Sequence, residues 1–282
     1  MIEKVDNMTN FKSNCHTHTV YCDGKNTARE MIDCAVKKGF SAIGFSGHAP
    51  MNFSNTWAMT QENLDKYFFE INSLKKEYAD KIDVFCGIEL DADYEINKEY
   101  SFDYILSSVH QIHGKKRIYS IDYTAEELTE CVNAEYDGDW YKMAEEYFKN
   151  LAAFVVDNKT DVVGHFDLIT KFNRSGCLFD ENNPEYQKSA LRWVDYIIDN
   201  KPYIIFEVNT GAMFRCGNET PYPASFILKR ICERGARVTV TSDAHCTEAL
   251  DYMFDEAKLY CKNCGFKSIW HLTKSGFIEE KI

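Results

Sequence analysis

The sequence predicts an α/β fold: a parallel sheet with crossover helices, closed into a barrel, in a single domain spanning 1–282. Three observations predict it. Short apolar runs alternate with amphipathic helical stretches in seven successive units, and alternation of that kind gives parallel strands with helices packed outside them. Seven such units in a chain of 282 residues favour a closed barrel over an open sheet. The Gly-rich phosphate turn of a doubly wound sheet is missing after the first strand. No Pro/Gly/Ser-rich linker, low-complexity segment or internal repeat divides the chain.

The elements follow in order. The first strand lies near Phe11–His16. Thr27 and Glu30, in TARE, have capping-box spacing and open a helix that ends at Gly39. SAIGFSGH is a strand running into His48. Leu64, Phe68, Ile71, Leu74 and Tyr78 keep helical spacing. IDVFCGIE is a strand ending at Glu89, and YILSSVH one ending at His110. Thr124 and Glu127 cap a further helix, and a long helix covers Trp140 to Val156. DVVGH ends at His165, and a helix runs from Pro184 to Asp199. YIIFEVN ends at Asn209, and the helix after Pro223 stops at Gly235. RVTVTSD ends at Asp243, and a last helix begins near Thr247.

Charge narrows the partners. Lys and Arg number 32 against 44 Asp and Glu, a net charge of −12. A field of that sign repels nucleic acid and acidic membranes unless a basic patch overrides it. The longest basic run, Lys115-Lys116-Arg117, is too short to be one. MIEKVDNMTN lacks the apolar core of a signal peptide, and no apolar run has the length of a membrane span. The 11 cysteines are odd in number and scattered, as expected of reduced thiols in a cytoplasmic protein. Cys261 and Cys264 form a lone CKNC, read as two residues at a helix end because no second ligand pair accompanies them.

The chemistry gathers at the strand ends. In HTHTVYCDG, His16 and His18 are one residue apart, so an extended strand turns both to one face. Residue types that bind metals close every predicted strand: His16 and His18, His48, Glu89, His110, His165, Glu207 and Asn209, then Asp243 and His245. In a β/α barrel those ends share the face on which active sites are built. Six of the eight histidines fall there; His113 and His271 do not. Six imidazoles with Asp23, Glu89 and Asp243 exceed what one four-coordinate ion takes. They suit two or three clustered ions sharing a carboxylate. Imidazole and carboxylate without thiolate suit Zn, Mn or Fe. Clustered divalent ions in an open site point to hydrolysis, often of a phosphate ester.

HTHTVYCDG, GFSGH, GIELD, SSVH, GHFDL and SDAH, in this order and spacing, resemble the motif series of the PHP (polymerase and histidinol phosphatase) superfamily. The resemblance runs from His16 to His245. It implies a distorted (β/α)7 TIM-like barrel with a trinuclear metal site. On this chain His16, His18, Glu89 and Asp243 would hold the first ion. Glu89 would bridge to a second held by His110 and His165, and Asp23, His48 and His245 would hold the third. SSVH, GHFDLITKF, EVNTGAMFR and PYP resemble the stand-alone histidinol-phosphate phosphatases. These hydrolyse L-histidinol phosphate to L-histidinol and phosphate in histidine biosynthesis.

The expected reaction is in-line attack on phosphorus without a phosphoenzyme. The leaving oxygen would be protonated by a metal-bound water or by a nearby acid, with Asp243 and His245 as candidates when not fully committed to metal. A phosphate monoester also needs cations at its outer oxygens, and the arginine fork matches them. Arg174 and Arg215 follow strand ends, and Arg117 and Lys116 follow His110. Glu207 is assigned either to the ammonium or imidazole of the substrate or to the ordering of a neighbouring ligand. Asp91 and Asp167 either orient ligands or cap turns. Phe172 and Phe214 either wall the substrate or pack.

Three rivals remain. A phosphotyrosine or nucleotide phosphatase of the same superfamily would share the site and differ in its pocket. An amidohydrolase would place a carboxylated Lys where His110 stands and leave His48 and His245 idle. A nucleic-acid module conflicts with the acidic surface.

Overall fold

The structure, a computed structural model, describes residues 11–282, so the MIEKVDNMTN segment lies outside the described residues. The elements are β1 (Ser13–Asn14), α1 (Ala28–Lys37), β2 (Ala42–Phe45), α2 (Gln61–Glu77), β3 (Asp83–Cys86), β4 (Ile88–Asp91), β5 (Ile105–Ser108), β6 (Gln111–His113), β7 (Ile118–Ser120), α3 (Ala125–Glu135), α4 (Trp140–Asp157), β8 (Val162–Val163), α5 (Pro184–Asn200), β9 (Ile205–Asn209), α6 (Gly211–Cys216), α7 (Ser225–Glu233), β10 (Arg237–Thr241), α8 (Phe254–Asn263), β11 (Ser268–Thr273) and β12 (Gly276–Lys281).

Local chemistry sets the helix ends. The Glu30 amide donates to Thr27 Oγ1 and the Thr27 amide donates to Glu30 Oε2, closing the capping box of α1. Asn183 caps α5 with Pro184 in its first turn. Gly39 and Gly235 take φ of 73° and 68° beyond α1 and α7, a conformation that costs glycine little.

The strands run parallel in two sheets, β1-β2-β3 and β10-β9-β8-β5-β4. They meet twice. On one side β3 runs into β4 through Gly87. On the other, the His18 amide donates to the Ala244 carbonyl (2.9 Å) and the Ala244 amide to the His16 carbonyl (3.1 Å), around the bridge Thr17–Ala244. This is a distorted seven-stranded (β/α)7 arrangement whose seam carries one bridge instead of a ladder.

Positions 44 and 87 are glycine for a steric reason. Tyr104 fills the barrel interior and its hydroxyl donates to the Cys15 carbonyl (2.7 Å). A Cβ on Gly87 would lie 2.4 Å from that ring, and one on Gly44 would lie 2.6 Å from its hydroxyl. The single strand expected over IDVFCGIE is divided at Gly87 into β3 and β4, and β4 still bonds the segment after β2, the Glu89 amide donating to the Gly47 carbonyl (3.2 Å) and the Ala49 amide to the Glu89 carbonyl (2.9 Å). At the strands' N-terminal end, Cys15, Phe85, Tyr104 and Leu272 form a small core closed by Phe11 and Phe277, so the β11–β12 hairpin plugs the barrel. That hairpin, the β6–β7 hairpin and α6 are additions to the sequence-based elements, and the last helix starts at Phe254 instead of near Thr247. The larger apolar core lies between strands and helices. Among the described residues no helix is long and apolar enough to cross a membrane.

Candidate active site

The site is built where the strands end. Thr17 turns its hydroxyl to the Gly44 carbonyl (2.8 Å), which sends His16 and His18 together to the opposite side. Both are fully buried. Glu89, at the middle of β4, stands at the centre of the cluster. Its Oε2 is 3.3 Å from His16 Nε2, 3.6 Å from His18 Nε2 and 2.9 Å from His48 Nδ1. Its Oε1 is 3.2 Å from His165 Nε2 and 3.7 Å from His110 Nε2, and accepts from Ser108 Oγ at 2.7 Å.

Asp243 Oδ1 lies 3.1 Å from His18 Nε2, 3.4 Å from His16 Nε2 and 3.5 Å from His245 Nδ1. Asp243 sits at φ 47°, a strained backbone that the surrounding contacts must hold. At the rim, Asp23 Oδ2 is 3.2 Å from His245 Nε2, and its Oδ1 is 3.7 Å from His18 Nδ1 and 3.8 Å from His48 Nε2. His18 and His245 stack with centroids 4.0 Å apart. All nine sequence-derived ligand candidates thus fall into overlapping groups whose donor atoms lie within 4.8 Å of one another.

The electrostatics suit cations. Burial opposes charge on Glu89, yet His48 and His16 hold it well below the carboxylate range. Burial likewise opposes charge on Asp243, and Arg215 and His16 hold it ionised. Burial, reinforced by His245 and His48, pushes His18 down to about 3, which leaves a neutral imidazole. Its Nε2 is buried without a hydrogen-bond partner among the described residues, although Asp243 Oδ1 is near. A buried nitrogen lone pair beside ionised carboxylates is a donor set for divalent ions. His16 is driven well above its usual range: burial opposes this, and Glu207, Asp243 and Glu89 outweigh it. That marks an excess of negative charge which a cation would neutralise.

Two carboxylates fix ligand rings from behind. His16 Nδ1 donates to Glu207 Oε2 (2.8 Å), and His110 Nδ1 donates to Asp91 Oδ2 (2.6 Å). Such partners set ring orientation and basicity. Glu207 is fully buried. It also accepts from Thr241 Oγ1, Asn209 Nδ2 and the His165 amide. Of its two assigned roles the geometry leaves the ordering of ligands, since no oxygen remains for a substrate.

Residues 14–211 match the family model described as the PHP domain. The chain belongs to the PHP domain family. The match ends before Asp243 and His245, which the Thr17–Ala244 bridge returns to the site. The chain is 27% identical over 286 residues to a Schizosaccharomyces pombe protein named "Probable histidinol-phosphatase", covering 92% of this chain and 89% of that one. It is 28% identical over 268 residues to the histidinol-phosphatase of Bacillus subtilis, covering 86% and 97%. Its fold matches the Lactococcus lactis histidinol phosphate phosphatase, a structure holding Zn, L-histidinol and phosphate, with TM-score 0.70 at 20% identity over 95% of this chain and 98% of that one.

The candidate arginines divide. Arg215 reaches the cluster: Nη2 donates to Asp243 Oδ2 (2.7 Å), Nη1 to the Asp243 carbonyl (2.6 Å), and its side chain is 30% exposed. Arg174 lines a neighbouring cavity. Arg117 is not brought to the cluster; at the tip of the β6–β7 hairpin it pairs with Glu130 (2.6 Å) and covers the Tyr119 ring. Phe214 packs on Tyr252 (5.1 Å). His113 pairs with Asp93 (2.6 Å), and His271 lies at the opposite end of the barrel beside Ser13.

Two contributors escaped the sequence reading. Trp57 sets its edge against His48, with centroids 4.8 Å apart, from a loop without periodic signal. Lys171 Nζ donates to Asp122 Oδ2 (3.0 Å). Asp122 is held down to about 2 against burial by Lys171 and His110. The Lys171 signal lay in GHFDLITKF, beside the motif histidine.

Proposed function

We propose that this chain is a metal-dependent phosphatase that hydrolyses L-histidinol phosphate to L-histidinol and phosphate. The observation that carries the reading is Glu89, a buried ionised carboxylate with five imidazoles around it: His16, His18, His48, His110 and His165. Its two oxygens face different groups, as a bridging ligand requires. We assign His16, His18, Glu89 and Asp243 to one ion, Glu89, His110 and His165 to a second, and Asp23, His48 and His245 to a third. The donor set suits Zn, Mn or Fe. Bound ions would supply Lewis-acid polarisation of phosphoryl oxygens and acidification of water.

The chain's own groups do the rest. Arg215, anchored on Asp243, presents a cation at the site's edge for the outer phosphate oxygens. Asp243 stays ionised beside it and His245 is assigned as a ligand, so neither is assigned the proton transfer to the leaving oxygen. Trp57 keeps water from one flank of His48 and His110. The names of the Schizosaccharomyces and Bacillus relatives, and the ligands of the Lactococcus protein, support histidinol phosphate as the substrate. The net charge of −12 is in keeping with a cytoplasmic enzyme of a small substrate, without nucleic-acid or membrane partners.

The test is phosphate release by the metal-loaded protein on L-histidinol phosphate, p-nitrophenyl phosphate, a phosphotyrosine peptide and a nucleoside monophosphate. A kcat/KM for histidinol phosphate about a hundredfold above the rest, abolished by a chelator or by His110→Ala, is the expected result. A flat profile or a phosphotyrosine preference overturns the substrate. Full activity in the folded His110→Ala variant overturns the site.

A further inference from the structure

Five of the side chains that meet the Glu89 carboxylate are imidazoles assigned to ions. The sixth is Ser108. Its Oγ donates to Glu89 Oε1 at 2.7 Å, and the two residues are 0% and 1% exposed. A carboxylate shared between ions must keep one orientation. Imidazoles that turn their lone pairs to ions do not supply donors to hold it; a hydroxyl that is not a ligand does.

The strand register explains why this serine reaches the site. Ser108 closes β5, which runs between β4 and β8. Successive side chains of a strand point to opposite faces. Ser108 turns to Glu89, while Ser107 turns away and its Oγ meets Thr160 Oγ1 at 2.8 Å.

The neighbouring strand leaves room for the hydroxyl. Gly164 follows β8, and its amide donates to the Ser107 carbonyl at 2.9 Å. A Cβ on Gly164 would lie 2.1 Å from Ser108 Oγ and 2.8 Å from Leu106 Cδ2. Gly164 is not among the glycines with positive φ, so position 164 requires space and no special conformation. It directly precedes His165, whose Nε2 lies 3.2 Å from the same Glu89 oxygen.

The lone pairs then divide. The Ser108 proton occupies one acceptor site of Oε1 and leaves one, on the oxygen that His110 and His165 face. Oε2 faces His16, His18 and His48. We propose that Ser108 is a positioning residue that sets the carboxylate plane of Glu89, turning Oε1 to the His110–His165 pair and Oε2 to the His16–His18 pair, with Gly164 as the space that admits its hydroxyl. The inference rests on the bridging role given to Glu89 above and adds the residue that enforces it.

The metal-loaded protein and its Ser108→Ala, Gly164→Ala and Ser107→Ala variants test it, with two readouts that do not depend on turnover. One is the affinity for each ion, by competition with a chelator. The other is the electron paramagnetic resonance spectrum of the Mn(II)-loaded protein, which separates a carboxylate-bridged pair from isolated ions. In Ser108→Ala one ion per chain is expected to bind about 10–100-fold more weakly, with the coupled-pair signal giving way to the isolated one. Gly164→Ala displaces the same hydroxyl without removing it and is expected to do likewise. Ser107→Ala removes a buried hydrogen bond from the other face of β5. Its Tm is expected to fall while ion affinity and coupling stay as in the wild type. Equal affinity losses in Ser107→Ala and Ser108→Ala would make the effect one of general stability and overturn the proposal. Wild-type affinity and coupling in folded Ser108→Ala would also overturn it, and would leave the phosphatase reading intact. A wild-type protein that binds ions without a coupled pair overturns the bridging role of Glu89 itself.

Discussion

At the scale of single residues, the two strand glutamates Glu89 and Glu207 do different work from similar settings. Both are buried and ionised against the pull of burial. Glu89 is surrounded by imidazole nitrogens, while Glu207 accepts only from hydrogen-bond donors: a ring N–H, a hydroxyl, an amide side chain and a backbone amide. In Glu207→Gln the new NH2 faces donors whichever way the amide turns, so His16 loses its orienting partner. Metal affinity is expected to fall about 10–100-fold, read by competition with a chelator. A change confined to KM, with metal affinity unchanged, would return Glu207 to the substrate.

At the scale of elements, the barrel is shaped by one bulky side chain over two glycines. Tyr104 crosses the interior at Gly44 and Gly87, and Gly87 is where β3 hands over to β4. Gly87→Ala puts a methyl into the Tyr104 ring. The ring is enclosed and cannot swing away, so the variant is expected to lose about 1–3 kcal/mol, measured as a lower Tm. An unchanged Tm would mean that the ring yields and that glycine is not required there. The IDVFCGIE stretch reads as one apolar run because local pattern does not record what lies across the barrel. The β11–β12 hairpin was missed for a related reason: its outer strand, Gly276–Lys281, is largely exposed and carries little apolar signal.

At the scale of the whole molecule, the two ends of the barrel respond differently to acid. The C-terminal face carries the cluster of imidazoles and carboxylates. The N-terminal end is tied by Ser13, His271 and Glu280, with His271 Nδ1 2.8 Å from Ser13 Oγ and Nε2 2.7 Å from Glu280 Oε2. Burial holds His271 below its ordinary value of 6.5, outweighing Glu280. The unfolded chain therefore takes up this proton first as pH falls. The stability that His271 contributes is present above about pH 6.5 and declines below it, towards the folded pKa. Other groups also respond to pH, so the difference between wild type and His271→Gln isolates the effect. Between about pH 7 and pH 5 the wild-type Tm is expected to fall more steeply than that of the variant; parallel slopes would remove His271 from the acid response.

The sequence by itself determined the fold class and the donor types. Apolar period and capping residues act over a few positions, so seven strand–helix units were legible. The parallel barrel then turned a position in sequence, the end of a strand, into a position in space. That rule places His16, His18, His48, Glu89, His110, His165 and Asp243 on one face. Tertiary structure alone decided which carboxylate meets imidazoles and which steadies a ring from behind. It also decided that Arg215 is anchored on Asp243 while Arg117 turns to Glu130. Those outcomes depend on the path of long loops and on neighbours brought together across strands, as Thr241 is to Glu207, 34 residues away. No local period encodes such contacts; only the packed chain does.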